Sequence, residues 1–368
     1  MLWGISKEEQ LIKATKEGDT NRVTKLINKG ANINYRKQGG QVSALDCAVV
    51  IGDVGLVNLL LNNGADVNSK TRNGYTALMS ASIWQSHLDI VDTLIKHGAD
   101  VNAKSFVEQW TALLLASSNP FTDESVVRRL VEAGAQINDS NVFGITPLMF
   151  VAALGSAELV EYLLKNGGDP RLANKDGLSA IHMAASSTGE SYVDVLKNSI
   201  NMSAKIRGAE ATLYKGMQAF ADGFSENNCL VRPKVIKLLL EYGADIDAET
   251  TSGVTPLMMA IAASNTEIAE MLILHANINA GDETALMTAV WHNRIDIVKL
   301  LIEKGADVNH KKTTGENALE WAVFNGHDEI AKLLLKVGAK NNFSDSFLKL
   351  ASEKEEIALT LKRLGLTL

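Results

Sequence analysis

The sequence predicts an all-α solenoid of about ten stacked helix–turn–helix units with short β-turn fingers. Three observations lead there. A capping residue recurs at Ser43, Thr76, Thr111, Thr146, Ser179, Thr255, Thr284 and Asn317, mostly at intervals of 33 to 35 residues. A Gly-Ala stop follows in step at Gly30, Gly64, Gly98, Gly134, Gly243, Gly305 and Gly338, with Gly167-Gly168 as a variant. Between cap and stop, apolar residues fall at helical rather than alternating spacing.

The stretch Asn73 to Lys104 shows the unit whole. Gly74 permits a turn that a side chain would oppose. Thr76 stands where a hydroxyl can accept from the open amides of a helix's first turn. Leu78 and Ala81 mark the buried stripe of a short inner helix, and Ile90, Val91, Leu94 and Ile95 that of an outer one. Gly98 supplies the left-handed stop, and Asp100 and Asn102 supply turn chemistry beyond it.

A period near 33 with a T-P-L-H-x-A signature is that of the ankyrin repeat, and from about Glu9 to Gly365 the chain resembles that family. Thr146-Pro147-Leu148-Met149 and Thr255-Pro256-Leu257-Met258 carry the motif nearly whole. Proline there is pre-set for the first helical position. His182 holds the motif's histidine slot, which Met79, Met149, Met258 and Met287 fill elsewhere.

Residues 1–39 read as an N-terminal capping unit. Leu11, Ala14, Val23, Leu26 and Ile27 point inward, and Lys7, Glu8, Lys13, Lys16 and Glu17 suit a solvated outer side. Regular repeats occupy 40–174. Within them, the finger Ser105 to Gln109 lacks the usual Asp/Gly turn, so a hairpin there is not expected. Region 175–251 is irregular, with an enlarged segment at 186–232. Two readings compete for it: a degenerate unit spanning 212–242 with a loop at Asp222 to Arg232, or a helical insertion inside one repeat. The degenerate unit is preferred. Repeats resume over 252–340, where Thr255 to Thr284 is only 29 residues. There the glycine before Ala276 is missing and the finger Asn279 to Glu283 is shortened, which should bend or dent the stack. A C-terminal capping unit occupies 341–368.

Composition narrows the function. The net charge of −7 argues against nucleic acid as a partner, since phosphate binding needs a basic face. Apolar runs are too short for a bilayer span, and the opening MLWGISKEEQ lacks the apolar core of a secretory signal. Two distant cysteines, Cys47 and Cys229, fit a reduced, cytoplasmic setting. The seven histidines show no metal-ligand spacing, and no nucleophile or phosphate-loop motif is present. No enzyme activity, cofactor or metal is expected. An enzyme or effector would have to place its site in 186–232 with the repeats as a targeting arm.

The resemblance implies a non-catalytic scaffold or adaptor that binds a partner protein through a concave groove, and a monomer is expected. In such stacks the groove slots lie just before the cap and seven or eight residues after it. Here they hold Tyr75, Trp110, Ile145 and Val254, then Val50, Ile51, Ile83, Trp84, Leu154, Trp291, His292 and Phe324. Aromatics make up 5% of the chain, yet three of its five tryptophans fall in these slots. Tryptophan and tyrosine dominate binding hot spots, so Tyr75, Ile83, Trp84, Trp110, Ile145, Leu154, Trp291, His292 and Phe324 are the candidate contact residues.

Overall fold

In a computed structural model, the residues described are 5–36, 42–84, 87–119, 123–186 and 232–366. Among them are 20 α-helices and no strands; the fingers contribute only the isolated bridges Ala173–Ser179 and Lys311–Asn317. The chain divides into two compact units. One takes in residues up to Leu154 and Glu158–Asp169; the other takes in Gly155–Ala157 and the described residues from Pro170 onward.

The first unit holds α1 (Lys7–Lys16), α2 (Thr20–Asn28), α3 (Ala44–Ile51), α4 (Val54–Asn62), α5 (Ala77–Ala81), α6 (Leu88–Lys96), α7 (Ala112–Ser118), α8 (Glu124–Glu132), α9 (Pro147–Leu154) and nearly all of α10 (Ala157–Lys165). The inner helices α1, α3, α5, α7 and α9 stack on one another in order, and the outer helices α4, α6 and α8 do the same. The caps behave as the motif requires. Thr76, Thr111 and Thr146 accept from the amides of Met79, Leu114 and Met149, and Ser43 forms a reciprocal capping box with Asp46. Gly98 takes φ +83°, the left-handed stop.

The loop asparagines do more than turn the chain. Asn68 donates from Nδ2 to the Gly98 carbonyl at 3.0 Å and accepts from the Asp100 amide at 2.7 Å. Asn34, Asn102 and Asn138 repeat the same pair of bonds to Gly64 and Asp66, to Gly134 and Gln136, and to Gly167 and Asp169. Each side chain therefore caps the outer helix of the following repeat and closes the interface between the two.

The Ser105 finger holds no strand or bridge, in line with the expectation of no hairpin. It closes as a turn, with the Ser105 amide donating to the Trp110 carbonyl at 2.9 Å. Gln109 adopts φ +59° in place of a glycine, its amide Nε2 donating to Ser105 and Phe106 carbonyls. The Phe106 amide bonds the Asn73 carbonyl of the preceding finger at 2.8 Å. Gly74 is needed here: a Cβ on it would lie 2.6 Å from the Phe106 nitrogen.

The second unit holds α11 (Ala180–Ala185), α12 (Arg232–Glu241), α13 (Pro256–Ala262), α14 (Thr266–Ile273), α15 (Ala285–Trp291), α16 (Ile295–Glu303), α17 (Ala318–Phe324), α18 (Asp328–Lys336), α19 (Asp345–Glu353) and α20 (Glu355–Arg363). Most of the degenerate unit preferred over 212–242 falls outside the described residues. Helix α12 packs directly on α11, and α11 packs on α13. The next finger adjoins the repeat of α11: the Thr251 amide donates to the Asp176 carbonyl at 2.9 Å, and His182 Nε2 bonds the Val254 carbonyl at 3.2 Å. Helix α11 thus contacts both α12 and the finger that precedes α13. The loop expected at Asp222 to Arg232 lies, apart from Arg232 itself, outside the described residues, as do residues 187–231 of the segment in which any activity was placed.

The shortened finger is compensated by a side chain. Asp282 accepts from both the amide and the hydroxyl of Thr313, at 2.6 and 2.7 Å, where longer fingers join through backbone amides. Inner helices α13, α15 and α17 and outer helices α14, α16 and α18 stack through this point.

Candidate functional site

Exposed aromatic surface concentrates at one place in the second unit. Trp291 ends α15, and Trp321 and Phe324 lie three residues apart on α17, so the latter two share a helix face. Trp291 meets Trp321 edge-on at 5.3 Å between ring centroids and lies parallel to Phe324 at 6.5 Å. Trp291 is 47% exposed and Phe324 40%. His327 fixes the spacing of these rings, because its Nδ1 bonds the Val290 carbonyl at the end of α15 at 2.9 Å.

Cations gather on the rings. Lys312 Nζ stands 5.1 Å from the Trp321 centroid and also pairs with Glu283 at 3.3 Å. Lys354 Nζ stands 5.6 Å from the Phe324 centroid. Such contacts draw on the negative face of the ring. Beside Phe324 opens a cleft of about 460 Å³. Its apolar walls are Val323, Phe324, Ile357 and Leu359, and its rim carries Glu356, Thr360 and Arg363. Leu359 is 51% exposed.

A buried polar contact underlies this site. Glu320 occupies the motif's histidine slot in α17 and is buried. Its carboxylate accepts from the Ser344 amide at 2.6 Å and from the Ser344 hydroxyl at 2.8 Å. Burial raises the Glu320 pKa above the ordinary carboxylate range. Glu320 thereby ties the start of α19 to α17. Its counterpart His182 is fully buried, and desolvation lowers its pKa.

The predicted contact residues divide. Trp291, His292 and Phe324 are exposed and lie together in the second unit; Val254 is half-buried there. In the first unit Val50 and Ile51 are exposed, and Tyr75 and Trp84 are half-buried. Four expectations of exposed anchors are corrected in that unit. Trp110 is 3% exposed because its ring stacks on Phe150 of the following repeat, centroids 5.6 Å apart and planes at 19°. Ile145, Ile83 and Leu154 are buried as well. A slot seven residues past the cap is the last turn of a short helix, which a large neighbour can cover. Trp321, Leu359 and the two lysines were not anticipated. Trp321 had a signal: four residues past its cap, it precedes Phe324 by one helical turn.

Among the described residues, no group of three or more His, Cys, Asp or Glu side chains is placed to hold a metal ion. No described helix is long and apolar enough to cross a membrane. Cys47 is a buried free thiol, its pKa pushed up to about 11 by burial, which leaves it a poor nucleophile.

This arrangement defines a helical repeat protein with an exposed aromatic face. The family model described as ankyrin repeats in three copies matches residues 11–105, 73–141, 113–206 and 227–312, and the single ankyrin repeat model matches 314–346. The chain belongs to the ankyrin repeat family. It is similar to the B-cell lymphoma 3 protein homolog of Mus musculus, 30% identical over 167 residues, covering 44% of this chain and 36% of that protein. It is also similar to the ankyrin repeat protein FPV031 of Fowlpox virus, 32% identical over 177 residues, covering 44% and 47%. A third relative is palmitoyltransferase AKR1 of Lachancea kluyveri, 30% identical over 216 residues, covering 57% and 24%. The chain thus spans less than half the length of each of these relatives.

Proposed function

We propose that the chain is a non-catalytic adaptor that binds a partner protein, as a monomer in the cytoplasm, through the aromatic face of α15 and α17. The carrying observation is the three-ring cluster of Trp291, Trp321 and Phe324, two of whose members leave over a third of their surface to solvent. Exposed apolar clusters of this kind mark interfaces, and tryptophan truncations lose the most affinity in them. The net charge of −7 supports a protein rather than a nucleic acid as partner.

The test is affinity capture with the full chain beside a Trp291→Ala/Phe324→Ala double variant, matched for melting temperature. A partner captured by the parent and lost by the double variant supports the reading. Equal capture by both would show that binding lies elsewhere.

A further inference from the structure

The finger between α6 and α7 puts two large apolar side chains in water. Phe106 and Val107 are each 59% exposed, and no large apolar side chain among the described residues exceeds them. Val142 and Phe143, half-buried on the following finger, extend this apolar row, and the Val142 amide bonds the Glu108 carbonyl at 3.1 Å. The tip is held firmly. Besides the Phe106 bond to Asn73, the Trp110 amide donates to Ser105 Oγ at 3.0 Å, and the Phe106 ring lies against Gly74. The residue two before the cap is a left-handed glycine at Gly74, Gly144, Gly177, Gly253 and Gly315, but Gln109 takes that conformation here with a side chain that opposes it. Folding gains nothing from strain at Gln109 or from apolar groups in water, and both are marks of a recognition element.

The exposed charge at this tip is positive. Over residues 69–75, 104–110 and 139–145 the three neighbouring fingers carry Lys70, Arg72, Lys104, Glu108 and Asp139. Lys104 and Asp139 pair at 2.9 Å, and Glu108 is buried. Asp66 and Asp100, the carboxylates just before these fingers in the chain, turn back to the amides of Asn68 and Asn102. Lys70 and Arg72 remain exposed with no ion-pair partner among the described residues. Lys70 Nζ stands 5.4 Å from the Phe106 centroid, so one cation and the apolar tip share a single spot.

We propose that these finger tips are a second docking site, apart from the aromatic face of α15 and α17, for an acidic segment of a partner protein that carries an apolar side chain. A leucine or aromatic group of that segment covers Phe106 and Val107, and carboxylates beside it pair with Lys70 and Arg72. A short segment meets only charges within a Debye length, about 8 Å at physiological salt. An anionic membrane or a nucleic acid would also meet the chain's net charge of −7, which favours the peptide.

The test uses the full chain and three labelled peptides, with binding read by fluorescence anisotropy. One peptide carries leucines flanked by glutamates, the second the same leucines flanked by lysines, and the third the glutamates with serines replacing the leucines. The first should bind tightest, and more weakly as salt rises. Phe106→Ala should weaken it about tenfold, and Lys70→Gln and Arg72→Gln about threefold each. Lys70→Glu/Arg72→Glu, at two exposed positions that leave the packing intact, should turn the preference toward the lysine peptide. Lys332→Glu/Lys336→Glu, the same charge change on α18 of the other unit, should leave binding as it is. Equal affinity of the parent for the glutamate and lysine peptides would overturn the proposal. So would an affinity for the glutamate peptide that neither Phe106→Ala nor the Lys70/Arg72 reversal lowers. Vesicles of phosphatidylserine and phosphatidylcholine are the remaining arm: retention of the parent on them, lost in Phe106→Ala and without any preference among the peptides, would replace the acidic segment with a lipid surface.

Discussion

Two tryptophans in predicted groove slots met opposite fates. Trp110, just before its cap, is closed over and stacks on Phe150. Trp291, seven residues past its cap, stays nearly half exposed although two aromatic rings adjoin it. The period places both side chains on the inner-helix side of the repeat, but the following repeat decides whether they see water. Phe150, four residues past Thr146, stacks flat on Trp110, whereas Trp321, four past Asn317, meets Trp291 by its edge and leaves a face open. Stability is the measurement that separates the two sites. Trp110→Ala should cost about 3–5 kcal/mol in denaturant unfolding, the range for large-to-small changes at buried aromatics. A cost near zero would mean that Trp110 is a surface residue after all.

The asparagine bonds extend the comparison to the interfaces between repeats. Asn68→Ala removes one donor and one acceptor that join consecutive repeats in the first unit. Both freed backbone groups lie in an exposed loop where water can replace the lost partner, so the expected loss is about 1–2 kcal/mol. In the second unit Asn279 and Asn309 keep both bonds, but between α12 and α14 Asp247 takes the asparagine's place, accepting from the Asn277 amide with no Nδ2 to donate. Asp247→Ala should therefore cost less than Asn68→Ala. The reverse order would show that the donated bond contributes little.

The motif slot offers a third contrast, between two buried titratable groups of opposite sign. His182 has its pKa lowered by burial, so its neutral form fits the fold; stability is present above about 6.5 and falls as pH drops through the folded pKa. Glu320 has its pKa raised by burial, so its stabilising contribution is full below about 4.3 and falls as pH rises through the folded pKa. His182→Met, the residue used in four other repeats, should flatten the loss of stability between pH 7 and 5. Glu320→Gln keeps an acceptor for the Ser344 amide and offers a donor to its hydroxyl, so it should hold or raise stability at pH 7. Thermal melts across pH read both. A Glu320→Gln protein that melts lower at pH 7 would show that the charged carboxylate is the better partner.

Most of the fold could be read from the chain because the repeat signals are local. A cap hydroxyl, a left-handed glycine and a 3.6-residue stripe act within one unit, and Thr76, Gly98 and Leu94 do what their types require. What escaped was set by contacts 30 or more residues away. The bonds of Asn68 to Gly98, of Asp282 to Thr313 and of His182 to Val254 all pair residues that no local pattern joins. The packing of α12 on α11 escaped for the same reason, since the two helices lie far apart in the chain. The candidate site was half legible: Trp291 and Phe324 were chosen by slot, but Trp321 and the lysines over the rings belong to packing between successive repeats.

The smallest expected change in stability is also the one that most sharpens the contrast between the tryptophans. Trp291→Ala removes a ring with 47% of its surface already in water, leaving Trp321 and Phe324 supported by Lys312 and Lys354. The apolar area returned to water is a fraction of what Trp110→Ala exposes, and no closed cavity forms, because the space opens to solvent. Unfolding should shift by about 1 kcal/mol or less, within the usual range for surface substitutions. Affinity for a partner should nevertheless fall about tenfold or more, since a half-exposed tryptophan completes its burial only when bound. A stability loss matching that of Trp110→Ala would place Trp291 in the core of the second unit and remove the ring on which the proposed binding face depends.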